Sequence, residues 1–325
     1  MKPLLVTSGE PAGIGPEICL ALRGSSIPVV ILADANLLLE RAKLLGIDIF
    51  IREYNPDIEY TPKANYLTVL SVPTKAKSVA GQLDKLNSLY VLEMLQMATE
   101  LCIGKKFSGL VTAPVHKGII NQVGISFTGH TEFLLEACDV KDVVMMLASD
   151  QLRVALVTTH LPLKKVSASI TKEKLSSVLT ILNNSLKNDF GIMSPNLYVS
   201  GLNPHAGEEG YLGSEEIEII SPALEALKSG GLNITGPLAA DTMFSESNLK
   251  NADAFVAMYH DQGLTVLKYA SFGSTVNITL GLPIIRTSVD HGSALDIAGK
   301  GIANSRSLVK AVEVAYHMGQ NRSRK

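Results

Sequence analysis

Short, nearly unbroken apolar runs alternate with helical patterns along most of the chain, and this rhythm constrains the fold more than any other feature. "PLLVTS" precedes "GPEICLALRG", "PVVILAD" precedes "ANLLLERAKLLG", and "YLTVLSV" leads into a long helical stretch, "GQLDKLNSLYVLEMLQMATELCIGKK". "GLVTAPV" and "GHTEFLLEAC" follow in the same order. Strands that are apolar throughout, rather than alternating, are expected where helices cover both faces of a sheet. The pattern therefore predicts an α/β fold with mostly parallel strands. Two stretches break it. "VVMMLAS" and "LRVALVTTH" read as strands joined by a tight turn, hence antiparallel, and "TVNITL" with "IIRTS" reads the same way. The expected architecture is two α/β/α domains with mixed, mostly parallel sheets and an active-site cleft between them. A length of 325 residues fits two domains. The expected division is a cofactor-side domain from 1–128 with 276–325, and a metal, substrate and dimerisation domain from 129–275. A last amphipathic helix, "SRSLVKAVEVAYHMG", ends the fold.

Composition excludes several functions. A formal net charge of −2 gives no basic face for nucleic acid. No apolar run is long enough for a membrane span, and the N-terminal apolar run is too short for a signal peptide. The cysteine count is 3, without a CxxC pair, which suits a reducing compartment and predicts a cytoplasmic protein.

Three histidines share a position. His160 ends "LRVALVTTH", His205 follows "LYVSGLNP", and His260 ends "DAFVAMYH". Each lies at or just past the carboxyl end of an apolar strand, the edge where open α/β sheets bind ligands. Three imidazoles converging there suit a catalytic divalent cation acting as a Lewis acid. Each taken alone also reads as an ordinary hydrogen-bonded loop histidine, and no short metal motif joins them.

Further candidates follow from local chemistry. "FTGHTEFLLEA" places His130 and Thr131 at a helix start, where free N–H groups attract anions. Thr128 or Thr131 can instead simply cap that helix. Asn277 and Arg286 interrupt apolar strands, where a polar group needs a partner, and Lys268 adds a point charge in "LTVLKYAS". Asp261 directly follows a candidate ligand and can orient it or bind substrate; it and Asp241 can also be caps. "GEPAGIGPEI" lacks the third glycine of a GxGxxG fingerprint, so dinucleotide binding is not assigned to it. In "VDHGSALDIAGKGIANSRSL", glycines including Gly292 allow close backbone approach. Asp296 can accept hydrogen bonds from a ribose diol and repel a 2′-phosphate, favouring NAD over NADP. A solvated turn capping a helix is the alternative for this stretch.

The segment "HGSALDIAGKGIAN" closely resembles the adenosine-binding loop of the isocitrate and isopropylmalate dehydrogenase family, usually HGSAPDIAGKGIANP. Leu295 and Ser305 stand where that family has proline. The resemblance implies that His291, Ala294, Asp296 and Asn304 line an adenosine pocket. Together, "GEPAGIGPEI", "TAPVHKGIINQVGISFTGHTEFL", "GLNPHAGEEGYLGSEE", "GPLAADTMF" and "YHDQGLTVLKY" resemble the 4-hydroxythreonine-4-phosphate dehydrogenase family of pyridoxal phosphate biosynthesis, over nearly the whole chain. Glu10 stands where that family more often has Asp. This resemblance implies one divalent metal (Zn, Co or Mg) held by His160, His205 and His260, and a homodimer with the active site at the interface and ligands shared between subunits. It further implies substrate contacts from His130, Thr131, Asp241, Asp261, Lys268, Asn277 and Arg286, with NAD, or NADP as an alternative, as oxidant.

The implied reaction is oxidation of 4-phosphooxy-L-threonine, a small phosphorylated substrate, to a β-keto acid that decarboxylates to 3-amino-2-oxopropyl phosphate. Lys268 is one candidate base, if burial beside cations lowers its pKa; a relay through Asp241 or His130 is another. Three rival readings stay open: a dehydrogenase of threonate or erythronate 4-phosphate, a phosphate acyltransferase, and a non-catalytic metal-binding module.

Overall fold

The structure is a computed structural model that describes residues 2–271 and 275–324. The chain divides into two compact units, Met1–Val140 with Leu282–Lys325, and Lys141–Gly281. The first unit opens with strands β1 (Leu4–Thr7), β2 (Val29–Ala33), β3 (Phe50–Glu53), β4 (Tyr66–Ser71) and β5 (Leu110–Thr112). The second carries β6 (Val144–Ala148), β7 (Arg153–Leu156), β8 (Asn196–Ser200), β9 (Asn233–Leu238), β10 (Ala254–Ala257) and β11 (Val276–Leu280). The chain then returns to the first unit with β12 (Arg286–Val289).

Among the helices, the first unit has α1 (Gly15–Cys19), α2 (Ala35–Leu44), α3 (Asn87–Ile103), α4 (Lys117–Asn121) and α5 (His130–Ala137). The second has α6 (Val166–Ser169), α7 (Lys172–Asp189), α8 (Ser221–Ser229), α9 (Ala240–Met243), α10 (Glu246–Asn251) and α11 (His260–Ser271), and α12 (Arg306–Ser323) closes the chain. None among the described residues is long and apolar enough to cross a membrane.

In the first unit the strands run in the order β3-β4-β2-β1-β5-β12, every pair parallel. β1 and β2 are buried at every position, and apart from Thr7 their sequences are apolar. α3 packs against β1, β2 and β5, and α12 packs against β12, β5 and β1. The second unit has the order β11-β6-β7-β10-β8-β9. Here β11–β6 and β6–β7 are antiparallel, and β7–β10, β10–β8 and β8–β9 are parallel. Its core gathers Leu147, Val154, Leu156, Met243, Phe255 and Leu267. The architecture is thus a mixed, mostly parallel α/β fold.

Two expectations shift. The helix read from Gly81 onward begins only at Asn87. Gly81 has φ +80°, and Asp84 turns the chain by accepting from the Leu86 amide, so the apolar periodicity extends further back than the helix. The boundary expected before residue 129 would assign α5 to the other domain, whereas α5 packs with α3 inside the first unit.

Candidate active site

The second unit places two of the three strand-end histidines side by side. β7 and β10 are parallel neighbours, with Leu156 opposite Ala257. The pairing continues beyond them: Val157 N donates to Ala257 O, and the Thr158 amide and hydroxyl both donate to Met258 O. His160 and His260 therefore emerge together, with ring centroids 5.5 Å apart. They face an open cleft of about 500 Å³, lined also by Thr159, Leu161, Leu163, Val166, Tyr259 and Asp261. The Asp261 carboxylate lies 2.7 Å from His260 Nδ1. That bond orients the ring and leaves Nε2 as the nitrogen that faces outward from it. Asp261 is inside the first turn of α11 rather than at its cap.

His205 leaves β8, the other neighbour of β10. It is exposed, and it opens an unusual stretch of backbone. His205, Ala206, Gly207, Glu208 and Glu209 have φ of 52°, 52°, 82°, 41° and 55°. Successive left-handed L-residues each cost about 1–2 kcal/mol, so this loop is held rather than relaxed. Among the described residues, no group of three or more His, Cys, Asp or Glu is gathered to hold a metal. One chain thus offers a pair, with the imidazole donors and oriented ring that a divalent cation accepts.

The first unit gathers groups whose chemistry suits an anion. α5 begins at His130 behind Gly129, and no side chain among the described residues caps its free amides. The capping role considered for Thr128 and Thr131 is therefore not filled. His130 is partly exposed as a residue, but its Nε2 is buried and has no hydrogen-bond partner among the described residues. Burial, then the charges of Arg286 and Lys117, hold the imidazole well below its ordinary pKa, so it is neutral. Arg286 is 3% exposed and donates through Nη2 to Thr112 Oγ1 at 2.8 Å. Burial lowers its pKa to about 10, opposed by Glu132.

Lys117 was not singled out in the sequence. Its Nζ lies 3.1 Å from where a Cβ on Gly129 would stand, and Glu132 Oε2 lies 2.9 Å from the same point. The only signal for it is its place after the β5 strand end, in "TAPVHKG".

The glycine-rich C-terminal loop is also in the first unit. Ser293 O accepts from Ile14 N at 2.9 Å, and Glu17 Oε1 accepts from Gly299 N. Arg41 donates to Glu17 Oε1, Gly13 O and Pro11 O at 2.8, 2.9 and 3.0 Å. "GEPAGIG" thus packs against the chain itself: a Cβ on Gly13 would meet Ser293 O at 2.8 Å, and one on Gly15 would overlap Ser8 O. Glu10, 1% exposed, accepts from the Ala12 amide, and burial raises its pKa. Gly292, Asp296 and Asn304 are exposed, Ala294 adopts φ 43°, and His291 Nε2 is buried without a partner among the described residues. An unsatisfied buried nitrogen and an exposed acidic side chain in the same loop fit an adenosine.

The remaining candidates belong to the second unit. Asn277 in β11 has a buried Oδ1 without a partner among the described residues. Asp241 is exposed within α9, whose cap is Ala239, so the capping alternative fails. Lys268 is exposed on α11; this chain alone does not supply the burial its role as a base requires.

Comparison with known proteins fits these features. The model of the family "Pyridoxal phosphate biosynthetic protein PdxA" matches residues 25–315. The chain belongs to this family. A PdxA relative from Marinobacter nauticus, named 4-hydroxythreonine-4-phosphate dehydrogenase, is 56% identical over 321 residues, covering 98% of this chain and 96% of its own. One of the same name from Pseudomonas aeruginosa is 53% identical, covering 98% of each chain. The crystal structure of 4-hydroxythreonine-4-phosphate dehydrogenase from Klebsiella pneumoniae superposes with a TM-score of 0.90 at 34% identity, covering 98% of each chain. As a PdxA member, the chain is an enzyme of the dehydrogenase class, consistent with pyridoxal phosphate biosynthesis.

Proposed function

We propose that this enzyme oxidises 4-phosphooxy-L-threonine with NAD, giving a β-keto acid that loses CO₂ to form 3-amino-2-oxopropyl phosphate, in the cytoplasm. The observation that carries the reading is the anion corner. It combines uncapped α5 amides, a neutral His130 with an unsatisfied buried Nε2, and a buried Arg286. Such a corner suits a phosphorylated acid, because backbone N–H groups and a guanidinium both bind oxyanions with directional hydrogen bonds. The names of the relatives supply the substrate. Three free cysteines fit a reducing compartment.

When bound, the cofactor accepts hydride and a divalent cation acts as a Lewis acid. His160, His205 and His260 would hold the cation, and His291, Gly292, Ala294, Asp296 and Asn304 the adenosine. Exposed Asp296 favours a free ribose diol, hence NAD. Thr131, Asn277, Asp261 and Lys268 would complete the substrate contacts, and Asp241 or His130 would relay the proton. We further propose a homodimer that completes the site. Leu163, Tyr211 and Ile217 are 74%, 87% and 55% exposed, apolar side chains that a second copy would cover.

The test is NAD reduction with 4-phosphooxy-L-threonine, beside threonate and erythronate 4-phosphates, with and without a chelator. Turnover of the amino substrate that stops on metal removal and in His205→Ala is expected. Preference for a sugar acid would replace the substrate, and full activity without metal would refute the cation.

A further inference from the structure

We propose that Glu216 is the positioning residue for His205: its buried carboxylate, with Asn203, fixes the left-handed loop that presents the imidazole. The proposal rests on the reading of His205 as a metal ligand.

Six consecutive residues with positive φ, four of them not glycine, do not stay in that conformation unaided. The turn therefore needs an anchor, and Glu216 sits at its centre, 3% exposed. Its Oε1 accepts from the amides of Leu202 and Asn203 at 2.7 and 2.8 Å. Its Oε2 accepts from Asn203 Nδ2 at 2.9 Å. The donors are all amides, two of them in the backbone immediately before the turn. Both carboxylate oxygens thus find donors inside the protein, as a buried polar group requires.

The glycines of "GLNPHAGEEGYLGSEE" are shaped around this pair. A Cβ on Gly207 would lie 2.6 Å from Glu216 Oε2, and one on Gly201 3.0 Å from Glu216 Oε1. A Cβ on Gly213 would overlap Asn203 Nδ2. The carboxylate itself projects from a π-helical turn, Glu216–Ile220, an irregularity frequent at functional sites.

The anchor also reaches the histidine cleft. Asn203 Nδ2 donates to Glu215 Oε2 at 2.7 Å, and Ser167 Oγ of α6 donates to Glu215 Oε1 at 2.6 Å. Val166, the neighbour of Ser167, lines the cleft with His160 and His260. From the other side, Gln262 accepts from Met258 N and donates to Gly201 O at 2.7 and 2.8 Å, joining the start of α11 to the root of the His205 loop.

The test compares the full-length enzyme with His205→Ala, Glu216→Ala, Glu216→Gln and the surface control Glu225→Ala. Co²⁺ affinity is measured by chelator competition, and amide hydrogen exchange over residues 202–213 is measured without metal. Residues that orient a ligand typically change metal affinity by about 10–100-fold. His205→Ala and Glu216→Ala are both expected to weaken Co²⁺ binding at least about tenfold, and Glu225→Ala to leave it unchanged. Only the Glu216 variants are expected to speed exchange over the loop. Glu216→Gln, which sets an amide against Asn203 Nδ2, falls between and decides the matter if Glu216→Ala does not fold. Glu216 variants that bind Co²⁺ like wild type, or leave loop exchange unchanged, while His205→Ala weakens binding, would overturn the proposal. Wild-type Co²⁺ affinity in His205→Ala would instead overturn the ligand reading, and this inference with it.

Discussion

His130 shows how one buried ring makes a measurable commitment. Its pKa in the folded chain lies well below the ordinary 6.5, so the unfolded chain takes up a proton that the native state refuses. Stability is then full above 6.5 and falls as pH drops below it. Denaturant titrations at a series of pH values should show this loss in wild type and a shallower one in His130→Gln. Burial acts on two thiols in the opposite direction, pushing Cys19 and Cys102 up to about 12. Neither forms thiolate near neutrality, so a thiol reagent should label both only after denaturation. Because unfolded thiols ionise from 9.0 upward, the same shift removes stability as pH rises past that value. Asp296 carries the cofactor prediction: Asp296→Lys should raise kcat/KM for NADP relative to NAD, read from initial rates with both nucleotides.

Strands and helices were the legible part of this chain. β2 and β10 are apolar from end to end because both faces are covered, and that pattern is legible in a single sequence. β3, with "FIRE" at the sheet edge, has no such run and was missed. The three histidines could be found by their place after strands, but the left-handed turn at His205 could not. Nothing in "PHAGEE" encodes positive φ at Ala206 or Glu208; a carboxylate further along the chain imposes it. The same holds for Glu17 and Arg41, distant in sequence and joined at 2.8 Å with side chains 3% exposed. They pin α1, α2 and the Gly299 backbone together. Removing one partner of a buried pair costs about 3–5 kcal/mol, so Arg41→Ala should lower unfolding free energy by that amount in urea. It should also raise KM for NAD more than it lowers kcat, since the anchored loop is the proposed adenosine site.

Assembly is where the proposed dimer can be checked. Sedimentation should give twice the 34.7 kDa chain mass. Tyr211→Asp with Ile217→Asp should yield monomers that lose turnover yet keep their circular dichroism. Chain order has a separate consequence. The first unit is made of two segments, and β12, from the later one, lies parallel to β5 with Ser288 opposite Thr112. A nascent chain leaving the ribosome therefore cannot finish that sheet until residues past 281 have emerged. The continuous unit from Lys141 to Gly281 has all its own strands first. During vectorial synthesis the N-terminal strands wait, with the β5 edge unpaired, for a partner translated last.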